Sequence, residues 1–230
     1  MTGARSLRAL AAGTIVLGFG LSGCSAVQIH TAEKDAAPVR VAVQDQPGSE
    51  PTAEPTKGGV PEGMTMETIN LGAACPVEIG FALGGDWTAG SSSEQFHVYS
   101  RGTSVTESDM IIISCNEAYD DSAQAVVDGK KNYAFSEKDS QVQAERMGTI
   151  TAGTFWSYQG VLGPTEILSI NQRPTAMYGT QLGYKVNGRL VNISIEMRAL
   201  ETNTKATEEF KQMLPTLEVE GERVPTPQFK

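Results

Sequence analysis

Histidine is scarce in this chain of 230 residues, which contains only His30 and His97. A Ser-His-Asp hydrolase would have to use His97, but the nearby serines 91–93 lie in a polar stretch without the G-x-S-x-G pattern of a nucleophile elbow. A zinc site would need Cys75, Cys115 and His97 to converge, and no C-x-x-C or H-x-x-x-H spacing supports it. The sequence therefore predicts no catalytic residue, no metal site and no cofactor.

Positive charge is also in short supply, with 18 Lys and Arg against 27 Asp and Glu. Phosphate backbones are bound by clustered Lys and Arg, so this balance argues against a nucleic-acid partner. The same excess of acidic residues provides no electrostatic attraction to anionic lipid. Membrane attachment would therefore depend on acyl chains, whose insertion contributes about 0.8 kcal/mol of binding free energy per buried methylene.

A hydrophobic run long enough to span a bilayer is missing at the N-terminus, where the apolar segment 9–20 is shorter than the roughly 20 residues required. Arg5 and Arg8 precede it, and Leu21-Ser22-Gly23-Cys24 follows it. A basic, an apolar and a small-residue region ending in cysteine are typical of a bacterial lipoprotein precursor. We expect a signal peptide at 1–23, lipidation of Cys24, and a protein anchored to the cell membrane on its extracytoplasmic side. The alternative is an ordinary secretory signal that happens to contain a cysteine.

Removal of the signal would leave 16 Lys and Arg and 27 Asp and Glu, which gives the mature chain a formal net charge of −11.

Only three cysteines occur, and assigning Cys24 to lipid leaves one pair, Cys75 and Cys115. Exported proteins meet an oxidising environment, so this pair predicts a disulfide. Two separately buried thiols are the alternative.

Residues 24–67 are poor in aromatic side chains and rich in proline and glycine. Such a segment cannot build a core and predicts a lipidated tether with an r.m.s. reach of about 35 Å. Within it, the alternation in 39–43 could add a strand to the sheet.

Residues 68–221 are predicted to form one globular domain, followed by a C-terminal tail at 222–230. Alternating or continuous apolar residues predict most of its elements, and the run at 110–113 predicts a central strand covered on both faces. We expect strands at 77–83, 95–100, 109–115, 143–150, 154–161 and 166–170, a helix at 122–135, and a closing helix around 210–217.

The clearest local pattern is Asn187-Gly188 between two alternating arms, which predicts a long hairpin with a type I′ turn. On the second arm, Val191, Ile193, Ile195 and Met197 share one face, and we expect this face to contact the core. Leu190, Asn192, Ser194 and Glu196 share the other. Strands interrupted by a helix and ended by another predict an α+β fold with a mainly antiparallel sheet packed with two helices.

The chain resembles a known family in its strand and turn at 81–87, the helix after the apolar strand, Gly153 before an aromatic strand, the long hairpin and the closing helix. It is similar to actinobacterial LpqN-type lipoproteins with a PsbP-like domain, although Gly84 and Gly85 stand where that family usually has a proline. The resemblance implies an α/β/α sandwich and a binding or accessory role in the cell envelope, with no shared catalytic residues.

The sequence thus predicts a non-catalytic binding or accessory module, with an envelope protein, glycan or lipid as its unknown partner. Aromatic side chains suit such contacts, and Trp156 and Tyr158, two apart on one strand, point to the same side. The candidates for ligand contact are Trp87, Trp156, Tyr158 and Tyr178, with core packing as their alternative role. A small envelope hydrolase with an unidentified catalytic group, or a solute-binding lipoprotein, remains the alternative function.

Overall fold

The computed structural model describes residues 59–102 and 108–230. Eleven strands and two α-helices are found there, together with short 3-10 turns at Ile170–Gln172 and Leu214–Thr216. In chain order they are β1 Met64–Asn70, β2 Glu78–Gly84, β3 Thr88–Ser92, β4 Phe96–Arg101, β5 Asp109–Glu117, α1 Ala123–Tyr133, β6 Gln141–Ile150, β7 Gly153–Leu162, β8 Thr175–Val186, β9 Arg189–Leu200, α2 Thr204–Met213, β10 Glu218–Val219 and β11 Glu222–Arg223.

The strands form two sheets, both antiparallel throughout. The larger has seven strands in the order β3-β4-β5-β9-β8-β7-β6, and the smaller has four in the order β1-β2-β10-β11. With two helices added, this is the α+β class that the sequence predicts.

The two faces of the large sheet are covered differently. One face packs with the small sheet and α2 around the main core, where Ile193, Ile195, Phe210 and Met213 are fully buried. The other face carries α1, whose Val127 packs with Trp156 and Tyr158 in a second, smaller core. Because α1 lies mainly over β7 and β8, the part of this face formed by β5 and β9 is left largely uncovered by helix.

The predicted hairpin is confirmed. Asn187 and Gly188 have φ values of 50° and 76°, which a type I′ turn requires, and they join β8 to β9 over their full lengths. Val191, Ile193, Ile195 and Met197 are completely buried, as their alternation predicts.

The first predicted helix is also present, two residues shorter at its C-terminus than expected. The Ser122 side chain accepts a hydrogen bond from the backbone N–H of Ala125 at 3.1 Å, which caps α1. Gly183 of β8 lies directly under the start of α1, and a Cβ there would clash with the backbone of Ala123. The helix can therefore dock closely on the sheet.

The folded part extends further at both ends than the expected 68–221. At the N-terminal side, β1 starts at Met64 and pairs along its whole length with β2. At the C-terminal side, Val224 is buried and the ring of Phe229 lies 5.5 Å from that of Tyr178. These contacts join distant parts of the chain, and local composition does not reveal them. Residues 39–43 lie outside the described ranges.

Two strand predictions differ from the structure. The prediction of a strand at 166–170 is wrong, because the Ser169 hydroxyl donates to the carbonyl oxygens of Pro164 and Glu166 and closes a turn there. The second concerns β5, which is an interior strand as expected but is fully buried on one face only. Ile111 and Ile113 are buried, whereas Met110, Ile112 and Ser114 are half-buried on the side that α1 leaves uncovered.

Candidate binding cleft

The uncovered part of the large sheet forms a polar cleft beside α1. Its floor is a row of polar side chains in register across three strands, with Ser194 of β9 opposite both Ser114 of β5 and Gln181 of β8, and Asn192 opposite Asn116. The floor is polar because polar residues alternate with core residues along this part of β9, so that the polar side chains there point to this face. One wall is α1, which contributes Val126, Gly129, Lys130 and Tyr133.

The cleft has a volume of about 410 Å³, within the range of small-molecule sites. Its lining is dominated by side-chain amides, hydroxyls and charged groups. The lining residues are Ser114, Asn116, Asp120, Val126, Gly129, Lys130, Tyr133, Gln181, Asn192, Ser194 and Glu196.

An ion pair connects the helix wall to the floor. Nζ of Lys130 lies 2.5 Å from Oε1 of Glu196, and both side chains are mostly buried, with exposed fractions of 19% and 11%. Oγ of Ser194 lies 3.4 Å from the same carboxylate oxygen. On the floor, the Gln181 amide donates to the Asn192 amide oxygen. This network fixes several donors and acceptors in place.

The arrangement suits binding better than covalent chemistry. A Ser-Lys nucleophile needs the lysine amine beside the serine hydroxyl, but the Lys130 ammonium donates to Glu196 instead. What the cleft offers is a set of fixed amide, hydroxyl and carboxylate groups that can exchange hydrogen bonds with a polar ligand.

The structure places the four predicted ligand-contact aromatics in the interior. Trp156 and Tyr158 do share one face, with ring centroids 4.2 Å apart, but both are fully buried beneath α1 and Phe135. The indole N–H of Trp156 donates to Oε2 of Glu145 at 2.8 Å.

The other two pack in the main core. Trp87 is 8% exposed and lies between Phe210 and the Arg101 guanidinium, which is 4.7 Å from its ring centroid. Tyr178 is 2% exposed and contacts Phe210 and Phe229. All four thus make core contacts, which is the alternative role that their sequence positions allow, and none lines the cleft.

His97 lies on β4, and its ring packs 4.6 Å from that of Tyr99. Its Nε2 is buried without a hydrogen-bond partner in the described ranges, so no serine or carboxylate from them is placed to act with that nitrogen. Within the same ranges, no group of three or more His, Cys, Asp or Glu side chains converges in a way that could hold a metal ion.

The disulfide predicted between Cys75 and Cys115 is present, with the two Cα atoms 5.9 Å apart. It ties the segment before β2 to the end of β5, and both cysteines are fully buried. Cys24, the predicted lipidation site, lies outside the described residues.

The sequence contained part of the signal for the cleft. The alternation of β9 already places Asn192, Ser194 and Glu196 on one face, but such a row reads most simply as a solvent-exposed face. The pairing of Glu196 with Lys130, which lies on a helix 66 residues earlier, is not encoded in the spacing of residues along the sequence.

No protein-family model matches the chain, and no curated protein matches it. Among solved structures it is similar to LpqN of Mycobacterium tuberculosis, described as involved in cell envelope biogenesis, at 14% identity and a TM-score of 0.42, covering 64% of this chain and 85% of that one. It is also similar to a Bacteroides thetaiotaomicron protein at 13% identity and a TM-score of 0.34, covering 64% and 47%. A third is the Saccharomyces cerevisiae Ran-binding protein Mog1p, at 12% identity and a TM-score of 0.39, covering 68% and 96%. At these identities and TM-scores the likenesses decide neither the family nor the function of this chain, and membership of the LpqN-type lipoproteins stays a prediction.

Proposed function

We propose that the protein is a lipid-anchored, extracytoplasmic binding module of the bacterial cell envelope, and that its binding surface is the polar cleft between α1 and strands β5, β9 and β8. The observation that carries this proposal is the cleft's lining. Three side-chain amides, three hydroxyls and the Lys130–Glu196 pair converge on one concavity of about 410 Å³.

The lining indicates the chemistry of the ligand. A carboxylate can accept a hydrogen bond from a hydroxyl group, and a side-chain amide can accept from one hydroxyl and donate to the next. A row of such side chains therefore matches adjacent hydroxyls on a sugar ring. Lys130 and Glu196 neutralise each other, and the remaining charged residue of the lining, Asp120, is an acid, so the cleft favours an uncharged ligand over an anionic one. We therefore infer that the ligand is a neutral, hydroxyl-rich compound such as an envelope saccharide.

The anchor is proposed from the sequence of the first 24 residues. Arg5 and Arg8, the short apolar segment and Leu21-Ser22-Gly23-Cys24 support export and acylation of Cys24. The Cys75–Cys115 disulfide is in keeping with an oxidising compartment. In the described part of the chain, no helix combines the length and the apolar character needed to cross a membrane.

The anchor is tested by growing the host with labelled palmitate. Wild-type protein should carry the label, and Cys24→Ala should lose it and accumulate as an uncleaved or released form. Equal membrane retention of the unlabelled variant would contradict the lipoprotein assignment.

The binding role is tested by applying the full-length protein with Cys24→Ala to an array of neutral and acidic oligosaccharides. Binding to a subset of neutral glycans is expected, and Asn192→Ala should reduce that signal about tenfold, because one to two hydrogen bonds of roughly 1 kcal/mol each are lost. Asn132→Ala is the matched control, since Asn132 is exposed on α1 outside the cleft. Equal loss in both variants, or binding that neither affects, would contradict the cleft as the site.

A further inference from the structure

Arg198 is a buried cation on the same face of the large sheet as the cleft. It lies on β9 two residues beyond Glu196, opposite Met110 of β5 and Met177 of β8. Only 7% of the residue is exposed. A guanidinium removed from water to this extent is normally matched by a carboxylate or by several acceptors.

Arg198 is not matched in this way by the described residues. Its Nη1 donates to the carbonyl oxygen of Leu168 at 3.0 Å, and this is the one hydrogen bond that its side chain makes with them. Its Nε is buried and has no partner there. Burial lowers the pKa of Arg198 below its usual value, against the attraction of Glu196. Since Glu196 itself pairs with Lys130, most of its charge is already compensated.

A cavity of about 260 Å³ opens beside Arg198. Its other walls are mostly apolar and come from Met110 and the loop that follows β7, including Ile167, Leu168 and Ile170. Ile167 stands at the surface with 83% of its area exposed. The nearby Ser169 hydroxyl already donates to Pro164 and Glu166, so the side-chain donors left to the cavity are the Arg198 guanidinium, which is its one cation, and the Asn171 amide.

We propose that this cavity binds a small carboxylic acid with an apolar chain. The carboxylate would accept hydrogen bonds from the N–H groups of Arg198 that Leu168 leaves free, and the chain would contact Met110, Ile167 and Ile170. An arginine and a carboxylate form strong, charge-assisted hydrogen bonds when both leave water. At about 30 Å³ for each water-sized atom, the cavity holds roughly eight non-hydrogen atoms, the size of hexanoate.

The site is separate from the proposed saccharide cleft. Glu196 lines the cleft and Arg198 lines the cavity, and these residues are adjacent members of one alternating row on β9. A ligand of either site can thus be tested without the other.

Calorimetric titration of the full-length protein carrying Cys24→Ala tests the inference with four probes: hexanoate, acetate, hexan-1-ol and inorganic phosphate. Hexanoate should bind best, and each of the other three about tenfold or more weakly, because each lacks either the apolar chain or the charge. Phosphate binding as tight as hexanoate binding, or hexan-1-ol binding as tight, would overturn the proposal.

Two variants assign the binding to the cavity. Arg198→Met should lower hexanoate affinity about tenfold or more, and Arg189→Met, at an exposed arginine on the same strand, should leave it unchanged. If Arg198→Met does not fold, Ile167→Glu at the exposed rim gives the same test, since a negative charge there should repel the carboxylate. Gly129→Leu, which fills the saccharide cleft, should not alter hexanoate affinity. Hexanoate affinity that Ile167→Glu leaves unchanged would overturn the assignment.

Discussion

Lys130 of α1 and Glu196 of β9 form an ion pair across the cleft, with Nζ and Oε1 2.5 Å apart and both side chains less than one-fifth exposed. The pair joins a helix to a strand 66 residues away. It holds the helix wall at a fixed distance from the polar floor and gives the cleft a charged but neutralised end.

Removing one member of this pair should destabilise the fold. Lys130→Met leaves the Glu196 carboxylate mostly buried without its cation, and we expect a loss of about 2 kcal/mol in the free energy of unfolding by urea denaturation. The double variant Lys130→Met, Glu196→Gln should lose less than the sum of the single changes. Lys211→Met is the control, because its pair with the exposed Glu208 should contribute less than about 1 kcal/mol. Additive losses would show that the two residues do not interact.

The disulfide is expected to contribute strongly to stability. It closes a loop with a sequence separation of 40, for which the chain-entropy model gives about 4 kcal/mol. Replacing both Cys75 and Cys115 by serine should lower the free energy of unfolding by about this amount. Intact mass before and after reduction checks the bond itself, and two thiols that alkylate without reductant in the exported, folded protein would contradict it.

Tyr178 should make part of the stability depend on alkaline pH. Burial, with a smaller contribution from Glu208, raises the pKa of Tyr178 to about 12, whereas a tyrosine in an unfolded chain ionises near pH 10. The neutral form is therefore favoured in the folded state. Its contribution is fully present below about pH 10 and is lost as pH rises through the folded pKa.

Tyr178→Phe should reduce this alkaline loss. Because the buried Tyr99, Tyr158 and Tyr184 also have raised pKa values, a smaller slope should remain. Urea midpoints measured between neutral pH and about pH 12 check the effect, and identical profiles for both proteins would contradict it.

Substitutions of Tyr158 test whether this residue stabilises the core or contacts a ligand. Its ring is fully buried, so Tyr158→Ser should cost about 3 to 5 kcal/mol in the free energy of unfolding. Its hydroxyl is buried without a partner among the described residues, so Tyr158→Phe should be neutral or stabilise by up to about 1 kcal/mol. Thermal melts of both variants decide this. Little change in Tyr158→Ser, with weaker partner binding, would return Tyr158 to the ligand-contact residues.

The elements that the sequence predicts well are those encoded by neighbouring residues. The Asn187-Gly188 turn and the alternation of β9 each act within a few positions, and each is found as expected. The Ser122 cap of α1 is an equally local feature. Strand β1 is different, because Met64–Asn70 is stabilised by pairing with β2 and not by a strong pattern of its own.

The same distinction applies to the candidate site. The spacing of Trp156 and Tyr158 predicts their common face correctly, but only the position of α1 shows that this face is covered. Conversely, Asn192 and Ser194 line a concavity because α1 lies mainly over β7 and β8 and forms a wall beside them. Which polar face is open to solvent and which becomes a cleft wall depends on packing between elements, and periodicity within one element does not contain that information.

Substitutions of Gly129 give the most direct test of the proposed binding function. It lies on the cleft wall of α1, and a Cβ added there would meet nothing within 4 Å. Gly129→Ala should raise the free energy of unfolding by about 1 kcal/mol through helix propensity and leave most of the cleft open. Gly129→Leu should stabilise the helix similarly but fill the cleft.

The decisive experiment compares these two variants with the Cys24→Ala parent on the same oligosaccharide array. We expect Gly129→Ala to retain the parent's signal, and Gly129→Leu to lose it while melting no lower than the parent. A fully folded Gly129→Leu protein that binds the same glycans as strongly as the parent would contradict the claim that the cleft is the binding surface.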